Sequence, residues 1–149
     1  MNFYQGKPSP HAIGPDGVKP EFIVVSNNID VKPTVDQVIK RLVHKEGIDP
    51  KSIVILSPLN SKNSLLEEGH KIGNLSLSWE SKGNQYIQCS TVHSYKGLES
   101  PIVIFVELGS AHKQTHSELL YIGMSRARNH LIVIASEEEK QNLDSLGAN

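Results

Sequence analysis

Short apolar runs punctuate the chain: "EFIVVS", "SIVILS", "YIQCSTV", "PIVIFVEL" and "HLIVIAS". Each is a continuous stretch rich in Val, Ile and Leu, not an alternation of apolar and polar residues. Strands buried on both faces have that pattern. Between the first two lies "TVDQVIKRLVHKEG", where Val35, Val38, Ile39, Leu42 and Val43 recur at helical spacing and Gly47 is a stop signal. "NSLLEEGHKIG" predicts a short helix, and the turn-rich "NLSLSWESKGNQ" an edge hairpin. "HSELLYIGMSRAR" predicts a helix capped near Thr115 or Ser117. "EEEKQNLDSLG" predicts a closing helix with Ser136 as N-cap and Glu138 and Glu139 in its first turn. Strands that alternate with helices imply an α/β domain with a mainly parallel central sheet.

Composition narrows this. The chain of 149 residues suits one ordinary domain, and 38% hydrophobic with 21% charged residues is enough apolar material for a core. Residues 1–20, "GKPSPHAIGPDGVKP" included, read as an extended lead-in, which leaves 21–149 for the folded domain. The formal net charge of −1 gives no global field toward nucleic acid or an anionic membrane, so such binding needs a local patch. The single cysteine, Cys89, excludes an internal disulfide and suits a reducing, cytoplasmic setting. No apolar run reaches the roughly 18 residues of a membrane span. The N-terminus lacks the apolar core of a signal peptide and reads as a cut inside a longer chain.

Candidate chemistry gathers where parallel sheets put it, beyond the carboxyl ends of the strands. "TVHSYKGLES" (91–100) begins where "YIQCSTV" ends. Thr91, His93 and Ser94 offer hydrogen-bond groups, and Lys96 a point charge for phosphate. Gly97 permits close backbone approach. Glu99 is an acceptor suited to a ribose hydroxyl or a metal-bound water. The plainer reading is a polar surface loop.

Arginine occurs only at positions 41, 126 and 128, two of them inside "YIGMSRARNHL". A guanidinium fork suits phosphate, and an arginine aimed at a γ-phosphate from a neighbouring domain accelerates phosphoryl transfer by roughly 10³–10⁵. The alternative is cations complementing a helix C-terminus. Helical spacing sets Arg126 about 40° from Ile122, near an apolar stripe, and turns Arg128 toward solvent or a neighbouring acid. Simple βαβ geometry places Arg126 near the start of the next strand, away from the crevice with Gly97.

Weaker signals are "HKQTH" (His112 and His116, without the Glu of a zinc protease), the Cys89–His93 pair, and Trp79 as a stacking surface or a core anchor. No G-x-x-x-x-G-K-[ST] occurs, so a nucleotide phosphate has no cradle here, and no early strand ends in an acidic pair for magnesium.

"TVHSYKGLES" followed by "ELLYIGMSRARNHLIVIAS" resembles motifs V and VI of UvrD/Rep-type superfamily-one helicases. "SIVILSP" is similar to their motif IV strand. The resemblance covers roughly residues 21–136 and implies the second, three-layer RecA-like motor domain of such an enzyme. By motif position, Thr91 and His93, with Ser94 and Lys96 beside them, would touch single-stranded DNA or RNA. Gly97 and Glu99 would meet the nucleotide, and Arg126 its γ-phosphate. ATP with Mg2+ would be bound mainly by an N-terminal motor domain of the same full-length chain, leaving this half inactive alone. Two departures stand out. Only Lys62 could replace the arginine that many relatives carry after the motif IV strand, and the large accessory insertion before motif V is absent. The alternative role is a degenerate motor domain serving as a non-catalytic interaction module, or an unrelated α/β small-molecule enzyme.

Overall fold

The apolar runs become strands of one sheet. A computed structural model describes residues 3–4, 7–8, 20–80, 83–95, 98–110 and 125–141. In chain order the strands are β1 (Phe3–Tyr4), β2 (Lys7–Pro8), β3 (Glu21–Val25), β4 (Ile53–Ser57), β5 (Lys71–Ile72), β6 (Leu75–Ser78), β7 (Tyr86–Thr91), β8 (Ser100–Phe105) and β9 (Ala127–Ser136). Helix α1 spans Val31–Lys40. β1 and β2 form a small antiparallel ladder of their own. The other strands form a seven-stranded sheet in the order β3-β9-β8-β4-β7-β6-β5. Every neighbouring pair in it is parallel except the β5–β6 hairpin at one edge. The expected α/β class with a mainly parallel sheet is what these residues build.

β4 lies at the centre, and all five of its residues are buried. Its Ile53 and Ile55 face α1, where Val31, Val35, Val38, Ile39 and Leu42 supply the buried stripe. Val54 and Leu56 face the other side, among Val92, Tyr95, Phe105 and Leu108. Two apolar faces explain why the strand reads as an unbroken apolar run.

α1 starts at Val31, ahead of the predicted Thr34. Pro33 falls in its first turn, where a missing N–H breaks no helical bond. The helix widens into a π-helical turn over Arg41–Lys45, where Glu46 N donates to Arg41 O, five residues back, at 3.0 Å. Gly47 (φ +68°) then stops it, with Ile48 N donating to Leu42 O at 2.9 Å.

The helix predicted over "NSLLEEGHKIG" does not form. Asn60–Ser64 make a tight turn instead, and Gly69 and Gly73 take φ of +82° and +60°. Backbone bonds that a helix would keep go to the sheet: Gly69 N donates to Leu77 O and Leu77 N to His70 O. Gly73 makes the two-residue turn of the β5–β6 hairpin, so the edge hairpin starts before "NLSLS".

The closing helix begins at residue 137 as predicted. Ser136 Oγ accepts from Glu139 N at 3.1 Å, and Ser136 N donates to Glu139 Oε1 at 2.9 Å, a reciprocal capping box. The helix expected from "HSELLYIGMSRAR" lies mostly outside the described residues. Its predicted end is corrected: Ser125 and Arg126 are in a turn, and β9 already runs from Ala127. Pairing with β8 decides this, because Ser100 N donates to Arg126 O at 2.9 Å. Among the described residues no helix is long and apolar enough to cross a membrane.

Candidate functional site

The stretch 91–100 was expected to meet two ligands at one edge of the sheet. Its two ends lie at opposite edges instead. Thr91 pairs with Ser57 at the carboxyl end of β4, while β8 starts beside the amino end of β4. Ser100 Oγ donates to Ser52 O at 2.9 Å there. The edges are separated by the length of β4, about 17 Å at roughly 3.3 Å per residue.

At the carboxyl edge, Thr91 Oγ1 accepts from Ser94 N at 2.9 Å and Thr91 O from Tyr95 N at 3.1 Å. One tight turn therefore closes on the threonine and leaves His93 and Ser94 exposed. Val92 and Tyr95 point inward and pin the crossing segment onto Val54, Leu56 and Phe105. Lys96 and Gly97 lie outside the described residues.

At the amino edge, Leu98, Glu99, Arg126 and Arg128 come together. Arg126 Nη1 donates to Leu98 O at 3.2 Å and Nη2 to Ser125 Oγ at 3.4 Å. Arg126 is half-buried, as expected, but its place in a turn beside β8 is the cause, not a helical stripe. Arg128 is exposed, with Nε 3.7 Å from Glu99 Oε1. Ser100 pairs with Ala127 but Ile102 with His130, so β9 carries one extra residue around Arg128 and Asn129. Such a bulge redirects side chains, and bulges recur beside functional sites. Tyr95 Oη donates to Glu99 O at 3.1 Å and ties the crossing segment down. Burial pushes the Tyr95 phenol up, while Ser100 and the Arg128 charge pull it the other way. A cleft of about 470 Å³ opens beside the bulge between Leu42, Ile48, Ser52, Ile102, Asn129 and His130.

The remaining sequence candidates resolve simply where they are described. Cys89 is buried, and burial pushes its thiol up to about 12, so it is no nucleophile. Trp79 Nε1 donates to Leu66 O at 2.8 Å with its ring against the core, so it is an anchor. His112 and His116 lie outside the described residues. Lys62 is exposed on the turn after β4, near the carboxyl edge.

One group escaped the sequence reading. Glu107 follows β8, is buried, and holds a left-handed backbone (φ +60°) that non-glycine residues seldom adopt. Its Oε1 accepts from Ser57 Oγ at 2.8 Å and from Ser64 Oγ, and its Oε2 from Leu65 N at 3.0 Å. The signal was present: "VEL" puts a lone acid at the crevice end of an apolar run.

Comparisons with known proteins bear on the fold and on family likeness. Residues 81–134, from before β7 into β9, match the family model of the UvrD-like helicase C-terminal domain. The chain is 34% identical over 61 residues to the mitochondrial ATP-dependent DNA helicase HMI1 of Saccharomyces cerevisiae, covering 41% of this chain and 9% of the relative. It is 35% identical over 74 residues to the RecBCD enzyme subunit RecB of Chlamydia trachomatis serovar D, covering 48% of this chain and 7% of the relative. The chain thus spans less than a tenth of the length of either relative. Its fold is similar to the C-terminal domain of a possible DNA helicase from Lactobacillus plantarum WCFS1, with a TM-score of 0.57 and 21% identity over 78% of this chain and 73% of that one. Residues 81–134 are thus similar in sequence to a UvrD-like helicase C-terminal domain, and the parallel sheet that carries them is similar in fold to a helicase C-terminal domain.

Proposed function

We propose that this domain is the C-terminal motor half of an ATP-dependent DNA, or RNA, translocase. The observation that carries the reading is the grouping of Glu99 and Arg126 at the amino edge, apart from Thr91, His93 and Ser94 at the carboxyl edge. One edge would face the nucleotide and the other the single strand.

At the amino edge, Arg126 would donate to the γ-phosphate oxygens as negative charge shifts during transfer, and Glu99 would accept from a ribose hydroxyl. A guanidinium steadied by Leu98 O needs little reorganisation for that task. Gly97 would allow the nucleotide to approach the backbone. The N-terminal motor half would hold most of the ATP and its Mg2+, which supplies charge neutralisation at the phosphates. At the carboxyl edge, Thr91, His93 and Ser94 would hydrogen-bond the strand backbone, and Lys96, by its place in the motif, would neutralise a phosphate, which positions nucleic acid without reading sequence.

Arg126→Ala in the two-domain protein tests the nucleotide edge. We expect a fall of about 10³-fold or more in ATP turnover with ATP binding largely kept. Unchanged turnover refutes the role of Arg126. The purified 149-residue chain should hydrolyse no ATP, and steady turnover from it alone would overturn the reading of a half site.

A further inference from the structure

Glu107 stands out because it combines features that are individually unfavourable. A carboxylate is buried, and its backbone is held at φ +60°. Strain of this kind persists only where the surroundings over-determine it, and it recurs at functional positions. Here the surroundings are the turn after β4. Ser57 Oγ donates to Glu107 and accepts from Leu59 N at 3.0 Å. Ser64 Oγ likewise donates to Glu107 and accepts from Leu66 N at 3.1 Å. Each hydroxyl thus passes the hold of one carboxylate on to the backbone two residues ahead. Asn60 Oδ1 fixes the tip by accepting from Lys62 N at 3.1 Å and Asn63 N at 3.2 Å.

The same residues border the Thr91 turn. Ser57 O accepts from Val92 N at 3.0 Å, so the Glu107 cluster and the strand-facing turn share one residue of β4. The sign of the charge matters as well. Because the Glu107 carboxylate is turned inward onto donors, its charge is withdrawn from an edge that would meet phosphates. The tip instead presents Asn60, Lys62 and Asn63, all exposed, and among the described residues no carboxylate bridges to the Lys62 ammonium.

We propose that Glu107 is a positioning residue that holds the turn after β4 so that Lys62 meets a phosphate of the single strand bound at Thr91 and His93. This rests on the carboxyl edge being the strand track. It gives Lys62 a nucleic-acid phosphate in place of the nucleotide phosphate suggested by its place after motif IV.

The test uses the 149-residue chain, a fluorescent oligothymidylate and anisotropy at several salt concentrations. Lys62→Ala should weaken binding about two- to tenfold. It should also reduce the slope of log K against log salt by about 0.7, one phosphate of a single strand. Glu107→Gln should reproduce both effects, because one amide face offers a donor where the site supplies only donors. Adding Lys62→Ala to Glu107→Gln should change nothing more, whereas adding Thr91→Ala should weaken binding further. A merely structural Glu107 would leave the salt slope intact and make the two losses additive, which overturns the proposal. If Glu107→Gln does not fold, Ser64→Ala, which removes one donor, must show the same non-additivity with Lys62→Ala. Binding reduced by Thr91→Ala but not by Lys62→Ala refutes this inference alone. A wild-type chain that binds no oligonucleotide overturns the strand-track reading with it.

Discussion

Glu21 offers a sharp test of the electrostatics at the amino edge. It opens β3 and accepts both ends of the Arg41 fork, Nη1 at 2.7 Å and Nη2 at 2.9 Å. Its Oε1 also meets His130 Nε2 at 3.1 Å, so one carboxylate joins β3, the end of the α1 helix and β9. The bonds from Arg41 hold the Glu21 carboxyl below its ordinary 4.5; burial opposes this, and His130 adds to it. The side chains are 35% and 32% exposed, so solvent screens part of the attraction. Exposed pairs contribute about 0.2–1 kcal/mol and breaking fully buried ones costs about 3–5, so this bidentate pair falls near 1–2 kcal/mol. Glu21→Gln keeps the shape and removes the charge. The folded-state value is depressed, so the contribution is complete above pH 4.5 and fades as pH falls through the folded value. The gap between wild type and variant should therefore be about 1–2 kcal/mol at neutral pH and close on acidification. Urea unfolding followed by Trp79 fluorescence measures it, and at this chain length the matching shift in Tm is about 3–6 °C. Equal midpoints at neutral pH, or a gap constant down to about pH 3, would refute the reasoning.

Two further outcomes follow from burial and crowding. Cys89, its thiol pushed up to about 12 by burial and the charges of Glu68 and Glu107, should resist iodoacetamide at mildly alkaline pH until urea unfolds the chain. Rapid labelling of the native chain would contradict this. Gly109→Ala would drive a methyl group into Glu139 Oε2, which accepts from Gly109 N at 2.6 Å while its partner oxygen closes the capping box. The loss should resemble that of a helix cap, about 0.5–2 kcal/mol by thermal melting, and an alanine variant as stable as wild type would disprove it.

Continuous apolar runs were enough to read the sheet, because β4, β8 and β9 are covered on both faces and no other pattern fits such burial. The sequence also carried the Ser136 cap and Gly47, whose effects act within one helical turn. The helix predicted at "NSLLEEGHKIG" failed because its competitors are distant in sequence: Glu107 takes Ser64 and Leu65, and Leu77 takes Gly69 and His70. Tertiary bonds of this range leave no local periodicity. Arg126 was legible as a candidate but misread as helical, since "MSRAR" has good helix formers and only pairing with Ser100 assigns it to a strand start. The Glu99–Arg128 contact needed the β9 bulge, which depends on the register between two strands and has no signature in either alone.

That register has a consequence for how the two edges communicate. Ser57 O holds Val92 N at one end of β4, and Ser52 O holds Ser100 Oγ at the other. Both ends of a single short segment are thus clamped to the two ends of the central strand. Among the described residues between the clamps, Val92 and Tyr95 are buried against the β4 and β8 side chains, and Tyr95 Oη returns to Glu99 O. A floppy loop would absorb a displacement at one edge within a few residues. Val92 and Tyr95, packed in the core with both ends of the segment bound to β4, resist that absorption, so a displacement at Glu99 would move the Thr91 turn with the sheet. On the proposed function, nucleotide closure at the amino edge would then reach the strand as rotation of the whole domain relative to its other half, the rigid-body class of switching. The burial of Val92 and Tyr95 argues against a private relay through these two side chains, because a relay requires two discrete arrangements and a close-packed interior favours one.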